Sequence, residues 1–517
     1  MLLIRFFVSE LSTMLNRIIL LLFIGASFTA CKRDFFTEGG PGNLTFSTDT
    51  IIFDTVFTTV GSITHTLKVY NNNNNPVTIN SIDLANQNSQ GVYRINVDGV
   101  SGMHAEDIKI AANDSLFIFV EATINPISGN LPYLVTDSLL FRTNGVTQDV
   151  DLVAYGQNAH FYTPDTYGFI KIKENNTVVD TLMFSYHSIN STTIWSSDLP
   201  HVIYGYVLIE PDVLLDITAN SKIFFHKNSG IIVGSPCDFK MTSDMEIIHT
   251  PSGNATLTVH GNLGEEVIFQ GDRLDGWYQD VAGQWDRIWF MPKRADNIIN
   301  YAVIRNGTVG IQSDSLDIPT SEKIVINNTI IENMSDIGIL AQGSYVVGTN
   351  NVVTNCGRYS LVLNIGGTYD FKHCTFANYW SYSSRSTPAV LLNNYYEDAS
   401  GKIQPRSLEE ANFTNCIISG YLAGELELQN NSDAEFNYEL NHCLLKLHPD
   451  STLGSLAQTN SIKIQSSDFV FVNTHERDFK LHALSPGINA GIYVGVTEDI
   501  LGILRGDAAP DIGAYEF

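Results

Sequence analysis

Apolar and polar positions alternate in short runs along this chain, and in its second half the runs share one register. Val303-Ile304-Arg305-Asn306, Ile330-Ile331-Glu332-Asn333, Val352-Val353-Thr354-Asn355, Thr375-Phe376-Ala377-Asn378 and Ile417-Ile418-Ser419-Gly420 are the same strand-sized unit. The closing asparagines lie 27, 22 and 23 residues apart, and Gly420 follows after 42, about two turns of the repeat. A short strand that returns every twenty-odd residues is how a chain stacks into a solenoid. The period of two puts Ile304, Ile331, Val353, Phe376 and Ile418 on one face with the smaller Ala302, Thr329, Asn351, Cys374 and Cys416. That face is expected to be the interior, with like residues stacked at a rise of about 4.8 Å. Asn306, Asn333, Asn355 and Asn378 are expected to form a structural ladder at a bend, because Asn tolerates the left-handed conformation and bonds neighbouring backbone. Asn351 is the polar misfit inside and is expected to pair with backbone.

Upstream, residues 44–157 carry a different pattern. Runs such as 78–84, 115–122 and 137–143 alternate strictly and are parted by turn clusters at 71–76 and 127–130. That spacing predicts a β-sandwich. Residues 158–203 contain strand-like pieces and are expected to connect and cap the first coil, since an open coil exposes apolar surface and unpaired backbone. The solenoid is expected over 204–480. Composition agrees with an all-β chain: aromatic residues make up 11% and charged residues only 16%, and no sustained helical period occurs outside the N-terminus.

That N-terminus has the form of an export signal. Arg17 precedes the apolar run 18–28, and small residues lead to Cys31. The run is shorter than the roughly 20 residues a spanning helix needs. Ala30-Cys31 resembles a bacterial lipobox, with Phe28 standing where Leu is usual. The resemblance implies cleavage after residue 30 and lipidation of Cys31, with 31–43 as a Gly- and Pro-containing tether. The partner expected on this basis is a membrane, held through the lipid, with the protein in the outer membrane facing the periplasm or the cell surface.

Several segments carry a further resemblance. Phe53-Asp54-Thr55-Val56, Lys68-Val69-Tyr70-Asn71 and Val153-Ala154-Tyr155-Gly156-Gln157 resemble Ig-like domains of bacterial surface lipoproteins. Residues 283–290 and 297–306, with Ser485-Pro486-Gly487 and Pro510-Asp511-Ile512-Gly513 in a C-terminal cap over 481–517, resemble β-helix lipoproteins of the Bacteroidetes type. The fold expected is an all-β right-handed parallel β-helix preceded by an Ig-like β-sandwich. Arg505-Gly506-Asp507 lies in that cap and reads as a turn ahead of an adhesion signal.

Charge narrows the partners. A net charge of −26 and an isoelectric point near 4.7 argue against nucleic acid and against a polyanion without a bridging cation. Cys374, Cys416 and Cys443 fall at one repeat position, and with Cys237 and Cys356 the five are expected to be buried and free ahead of disulfides or metal; no spacing suggests zinc. No cofactor is expected. The candidate chemistry is a loop holding three of the five tryptophans beside acids: Asp272, Asp275, Trp277, Tyr278, Asp280, Trp285 and Asp286, followed by Trp289. Exposed rings stack on sugar faces while carboxylates accept hydroxyl hydrogen bonds, so a glycan platform is the expectation. The same acids offer oxygen ligands to Ca²⁺, although their spacing departs from the EF-hand loop. The alternative is that the tryptophans cover the solenoid flank and the acids cap turns. Tyr379-Trp380-Ser381-Tyr382 is a second aromatic cluster with the same two readings. His373 and His442, beside ladder cysteines, read as corner residues.

Three functions remain open at this stage. Non-catalytic glycan or surface contact leads, ahead of a polysaccharide lyase or glycoside hydrolase and a structural envelope spacer. The enzyme reading requires carboxylates, or a carboxylate and a Lys or Arg, to converge on the solenoid flank.

Overall fold

The computed structural model describes residues 43–58, 61–85, 91–124, 133–174, 177–234, 240–241, 247–248, 254–274, 276, 278–291, 296–315, 321–398, 400–449, 458–506 and 509–517. Cys31, Cys237, Asp275, Trp277 and Asp507 lie outside the described residues, so the lipidation site and two of the loop candidates are not placed. The described residues contain strands and turns and no helix. They fall into two compact units that part between Gln157 and Asn158.

The first unit is a sandwich of two five-stranded sheets. One sheet runs in the order Thr45–Phe46, His65–Asn71, Asp114–Ala122, Tyr93–Val97, Val100–Gly102. The other runs Thr50–Phe57, Val146–Gln157, Tyr133–Thr143, Val77–Leu84, His104–Ile110. Alternation explains the core: Leu67 and Val69, Ile118 and Val120, Leu139 and Phe141, and Val150 and Leu152 all reach 0% exposure and meet in one cluster.

The second unit is a parallel β-helix. Its first sheet has eleven strands, from His160–Tyr162 to Ile462–Lys463; the second has twelve and the third ten. Coil-to-coil pairing is parallel and in register. Ile304 pairs with Ile331, Ile331 with Val353, Val353 with Phe376, Phe376 with Ile418 and Ile418 with Leu445. All six are buried to 1% or less, which makes the expected column real. Each such side chain contributes roughly 1.5–3 kcal/mol by leaving water. The companion column of Ala302, Thr329, Asn351, Cys374, Cys416 and Cys443 is buried beside it. Asn351 is satisfied as expected: it accepts from Thr329 N at 3.1 Å and donates to Ile326 O at 2.6 Å.

Two corners hold left-handed residues. At the first, Asn306, Asn333 and Asn355 have φ of 66°, 56° and 52°. Asn333 donates to Asn306 Oδ1 at 2.8 Å and Asn355 to Asn333 Oδ1 at 3.0 Å. The ladder changes at Asn378, which accepts from Cys356 N at 3.1 Å and donates to Arg358 O at 3.2 Å. At the second corner, Asn328, Asn350, His373, Asn415, His442 and Asn460 share φ near 50°. His373 and His442 are corner residues, one rung each.

Two segments lie at the ends of the solenoid's sequence. Residues 158–203 form the first coil: His160–Tyr162 pairs with His201–Ile203, and Thr193–Trp195 pairs with Leu214–Thr218. Trp195, 1% exposed, closes that end of the interior by stacking on His201 at 4.7 Å. The cap segment packs against the side of the solenoid. After Lys463 the chain turns back over the outer face of the first sheet, where Val470, Phe471, Phe479, Leu481, Ile500, Ile512 and Ala514 bury Val352, Ala377, Ile417 and Leu444. The motif at 510–516 is built for this approach. Gly513 has φ 107° and a Cβ there would lie 2.6 Å from Ile417 Cδ1, so only glycine fits. Arg505 is buried on Glu516 at 2.7 Å, which removes it from any adhesion role.

Candidate functional site

The candidate loop crosses from the first sheet to the second. The corner ladder holds it: Asn306 Nδ2 donates to Gln279 O and Asn333 Nδ2 to Asp280 O, both at 2.8 Å. Gln284 pins it from within, donating to Tyr278 O at 2.6 Å and Val281 O at 2.8 Å. Side chains at such a loop are therefore set by the rigid coils beneath.

The structure separates the candidates. Trp285 is a correction: it is 1% exposed, stacks on Phe225 with centroids 4.3 Å apart, and donates to Arg305 O at 2.9 Å. It fills the space above Gly307, whose Cβ would come within 2.9 Å of the indole. It is core and cannot meet a ligand. Asp272 receives the imidazole N–H of His226 at 2.8 Å, and this bond raises the His226 pKa. Asp286 accepts from the Tyr206 hydroxyl and holds Arg287 at 2.9 Å. Tyr278 lies beneath the Arg273 guanidinium, 3.1 Å from its ring centroid. Trp289 donates to Asp314 Oδ2 at 2.7 Å on the outer face of the second sheet.

Asp280 behaves differently. Its side chain is 63% exposed and meets Arg477 Nη1 at 3.2 Å. Tyr382, 56% exposed and from the second aromatic cluster, donates to Asp280 O at 3.2 Å and receives Arg477 Nη2 at 3.1 Å. Trp380 supports it from below: 8% exposed, it packs edge-on against Tyr382 at 4.9 Å. Glu332, on the outer side of strand Ile330–Met334, lies 3.9 Å from the same Arg477 nitrogen. Burial raises the Glu332 carboxyl above the ordinary glutamate range, against the pull of Arg477 and Arg305. Arg477 itself has φ 59° and is presented by the hairpin of Phe471–Asn473 and Asp478–Leu481, whose apolar residues pack on the first sheet.

Asp280 of the acidic loop and Tyr382 of the second aromatic cluster thus meet at one corner, joined by a residue that sequence reasoning missed. Arg477 carries no local signal. Glu332 did carry one, a charge between inward-facing Ile331 and Asn333, but a charge on the solvent side of a strand is ordinary. Among the described residues no group of acids, histidines and cysteines is arranged to hold a metal ion.

Neither a protein-family model nor a curated protein matches this chain. Among solved structures, pectate lyase Pel9A is similar over 64% of this chain and 86% of its own, at 13% identity and a TM-score of 0.24. A family 123 glycoside hydrolase from Clostridium perfringens is similar over 22% of this chain, at 10% identity and a TM-score of 0.17; this chain spans 27% of its length. A PapD-like domain of human CEP192 is similar over 25% of this chain and 92% of its own, at 9% identity and a TM-score of 0.16. Likeness at that level carries no argument about activity.

Proposed function

We propose that this chain is an exported envelope lipoprotein of the Bacteroidetes β-helix type, with an Ig-like sandwich, whose solenoid corner contacts glycan without cleaving it. The observation that supports it is the convergence of Asp280, Tyr382 and Arg477. An exposed phenol beside an exposed carboxylate and a guanidinium supplies a ring for a sugar face, an acceptor and donors within one patch. Glycan-array binding by the soluble protein beginning after Cys31 is the test, with Tyr382→Ala and Asp280→Asn beside the wild type. Binding that drops about tenfold or more in Tyr382→Ala supports the patch; identical arrays count against it. The anchor is tested separately, since Cys31→Ala should move the protein from membranes to the soluble fraction.

Glu332 favours a second reading. The Glu332 carboxyl, raised by burial, and the exposed Asp280 carboxyl both approach one Arg477 nitrogen, and two carboxyl groups in one patch are what glycoside hydrolysis requires. Release of reducing ends from a bound glycan, lost in Glu332→Gln, would establish it. Intact glycan after prolonged incubation would leave the binding reading alone.

A further inference from the structure

The sandwich carries an aromatic face of its own. In the strand Asp114–Ala122 the inward residues Ile118 and Val120 are fully buried, while Phe117 and Phe119 point outward at 49% and 43% exposure. This strand is the middle one of its five-stranded sheet, so its side chains stand on a rigid base. Two large rings on the solvent side of a central strand are costly to keep unless something covers them.

The register shows what surrounds Phe119. Thr66 lies directly across on one side and Asn96 on the other, and Ser101 lies beyond Asn96. One row along, Arg94 faces Glu121. Asn96 donates to Ser101 Oγ at 3.0 Å, which orients its amide. Thr64, Arg94, Asn96, Ser101, Phe119 and Glu121 line an open cleft of about 270 Å³. Phe117 continues the face, with the Lys68 ammonium 5.2 Å from its ring centroid and 5.1 Å from that of Tyr70.

We infer that this cleft binds a single neutral pyranose unit of a glycan, stacked on Phe119. The volume lies just below the range of pockets for drug-sized ligands, which suits one sugar ring over an extended chain. The phenyl face takes the C–H face of the ring. Arg94, Asn96 and Ser101 supply donors and Glu121 an acceptor for hydroxyls at the rim. Arg94 and Glu121 stand opposite each other with opposed charge, so the cleft favours a neutral sugar over a uronate. The site is distinct from the solenoid corner and shares with it only the class of ligand.

Saturation-transfer NMR on the full soluble chain tests the site, using the methyl glycosides of glucose, galactose, mannose and N-acetylglucosamine as probes. Transfer to at least one glycoside is expected. Phe119→Ala should weaken it about tenfold or more, Arg94→Ala several-fold, and Phe119→Trp should retain it. The difference between the Phe119 and Phe119→Ala proteins should persist when Tyr382→Ala is present in both, which separates this site from the corner patch. Both alanine changes are at solvent-facing side chains, so the thermal midpoint should hold; a loss in either variant at unchanged midpoint supports the site. Absence of transfer to every glycoside, or equal transfer in both alanine variants, overturns it.

Discussion

Gly420 leaves open the space that the Glu425 carboxylate fills. A Cβ on Gly420 would collide with Glu425 Oε1, so the glycine that replaces asparagine in the repeat makes room for a buried carboxylate. Glu425 is fully buried and holds Arg385 through both oxygens, at 2.7 and 2.9 Å. It also accepts from Leu422 N and Ala389 N at 2.7 Å. Arg385 in turn donates to Asn378 O at 2.8 Å, so the ion pair takes over where the asparagine ladder stops.

Breaking this pair strands a charge in the interior, and the cost of that is about 3–5 kcal/mol. Glu425→Ala should therefore lower the stability read from urea unfolding by that order. Gly420→Asn, which restores the repeat residue, should destabilise as well, because the side chain has no room. A Gly420→Asn protein as stable as the wild type would show that Glu425 moves aside freely.

The interior column makes a sharper test of the fold. Phe376 packs edge-on against Phe371 at 5.4 Å and Phe413 at 6.0 Å, with no solvent contact. Phe376→Ala should cost about 3–5 kcal/mol, and Ile331→Ala about 2–5 kcal/mol. Thr349→Ala, on the outer side of the third sheet, should stay within about 0.5 kcal/mol. Chemical denaturation of the three variants checks the order.

Acid should act through two buried imidazoles. Burial, aided by Arg505, depresses the His373 pKa to about 3, and burial depresses His201 to about 4. Both fall below the unfolded value near 6.5, so the unfolded chain binds more protons between that pH and the folded pKa values. Their contribution is therefore full above about pH 6.5 and is lost progressively as pH falls toward 4 and then 3. His373 Nε2 accepts from Asn415 Nδ2 at 2.8 Å, a bond that protonation removes. His373→Asn keeps a residue suited to the left-handed rung and removes the proton site. Its urea midpoint should fall less between pH 7 and pH 4 than that of the wild type, and equal slopes would exclude His373 as a contributor.

The buried cysteines should be silent toward thiol reagents. Cys356, Cys374, Cys416 and Cys443 are buried and free. Burial pushes the Cys356 thiol up to about 12 and raises Cys416 as well, so thiolate is scarce at pH 8. Peptide mapping after alkylation should find these four unmodified in the native protein and modified after denaturation in urea. Native labelling of Cys374 or Cys416 would place them outside the interior.

How far the chain could be read follows from the range of each relationship. The column Ile304–Ile331–Val353–Phe376–Ile418 was legible because strand period and coil period are both local, and together they assign every second side chain. Asn351 was legible for the same reason: a polar residue at an inward position must find backbone. Trp285 was misread as surface. The glycine at position 307, one coil on, is the signal that a large ring lies against it. The outward aromatics Phe117 and Phe119 were present in the alternation, but their exposure depends on what else covers that face.

The sequence by itself determined an all-β chain, the coil register, the inward set and the corner asparagines. These depend on contacts between successive turns, whose geometry repeats. Only the tertiary structure decided that the C-terminal segment returns over the first sheet, and so brings Arg477 to Asp280 and Tyr382 from 197 and 95 residues away. That return rests on shape: Gly513 against Ile417, and apolar residues meeting an outward face that periodicity alone marks as solvent.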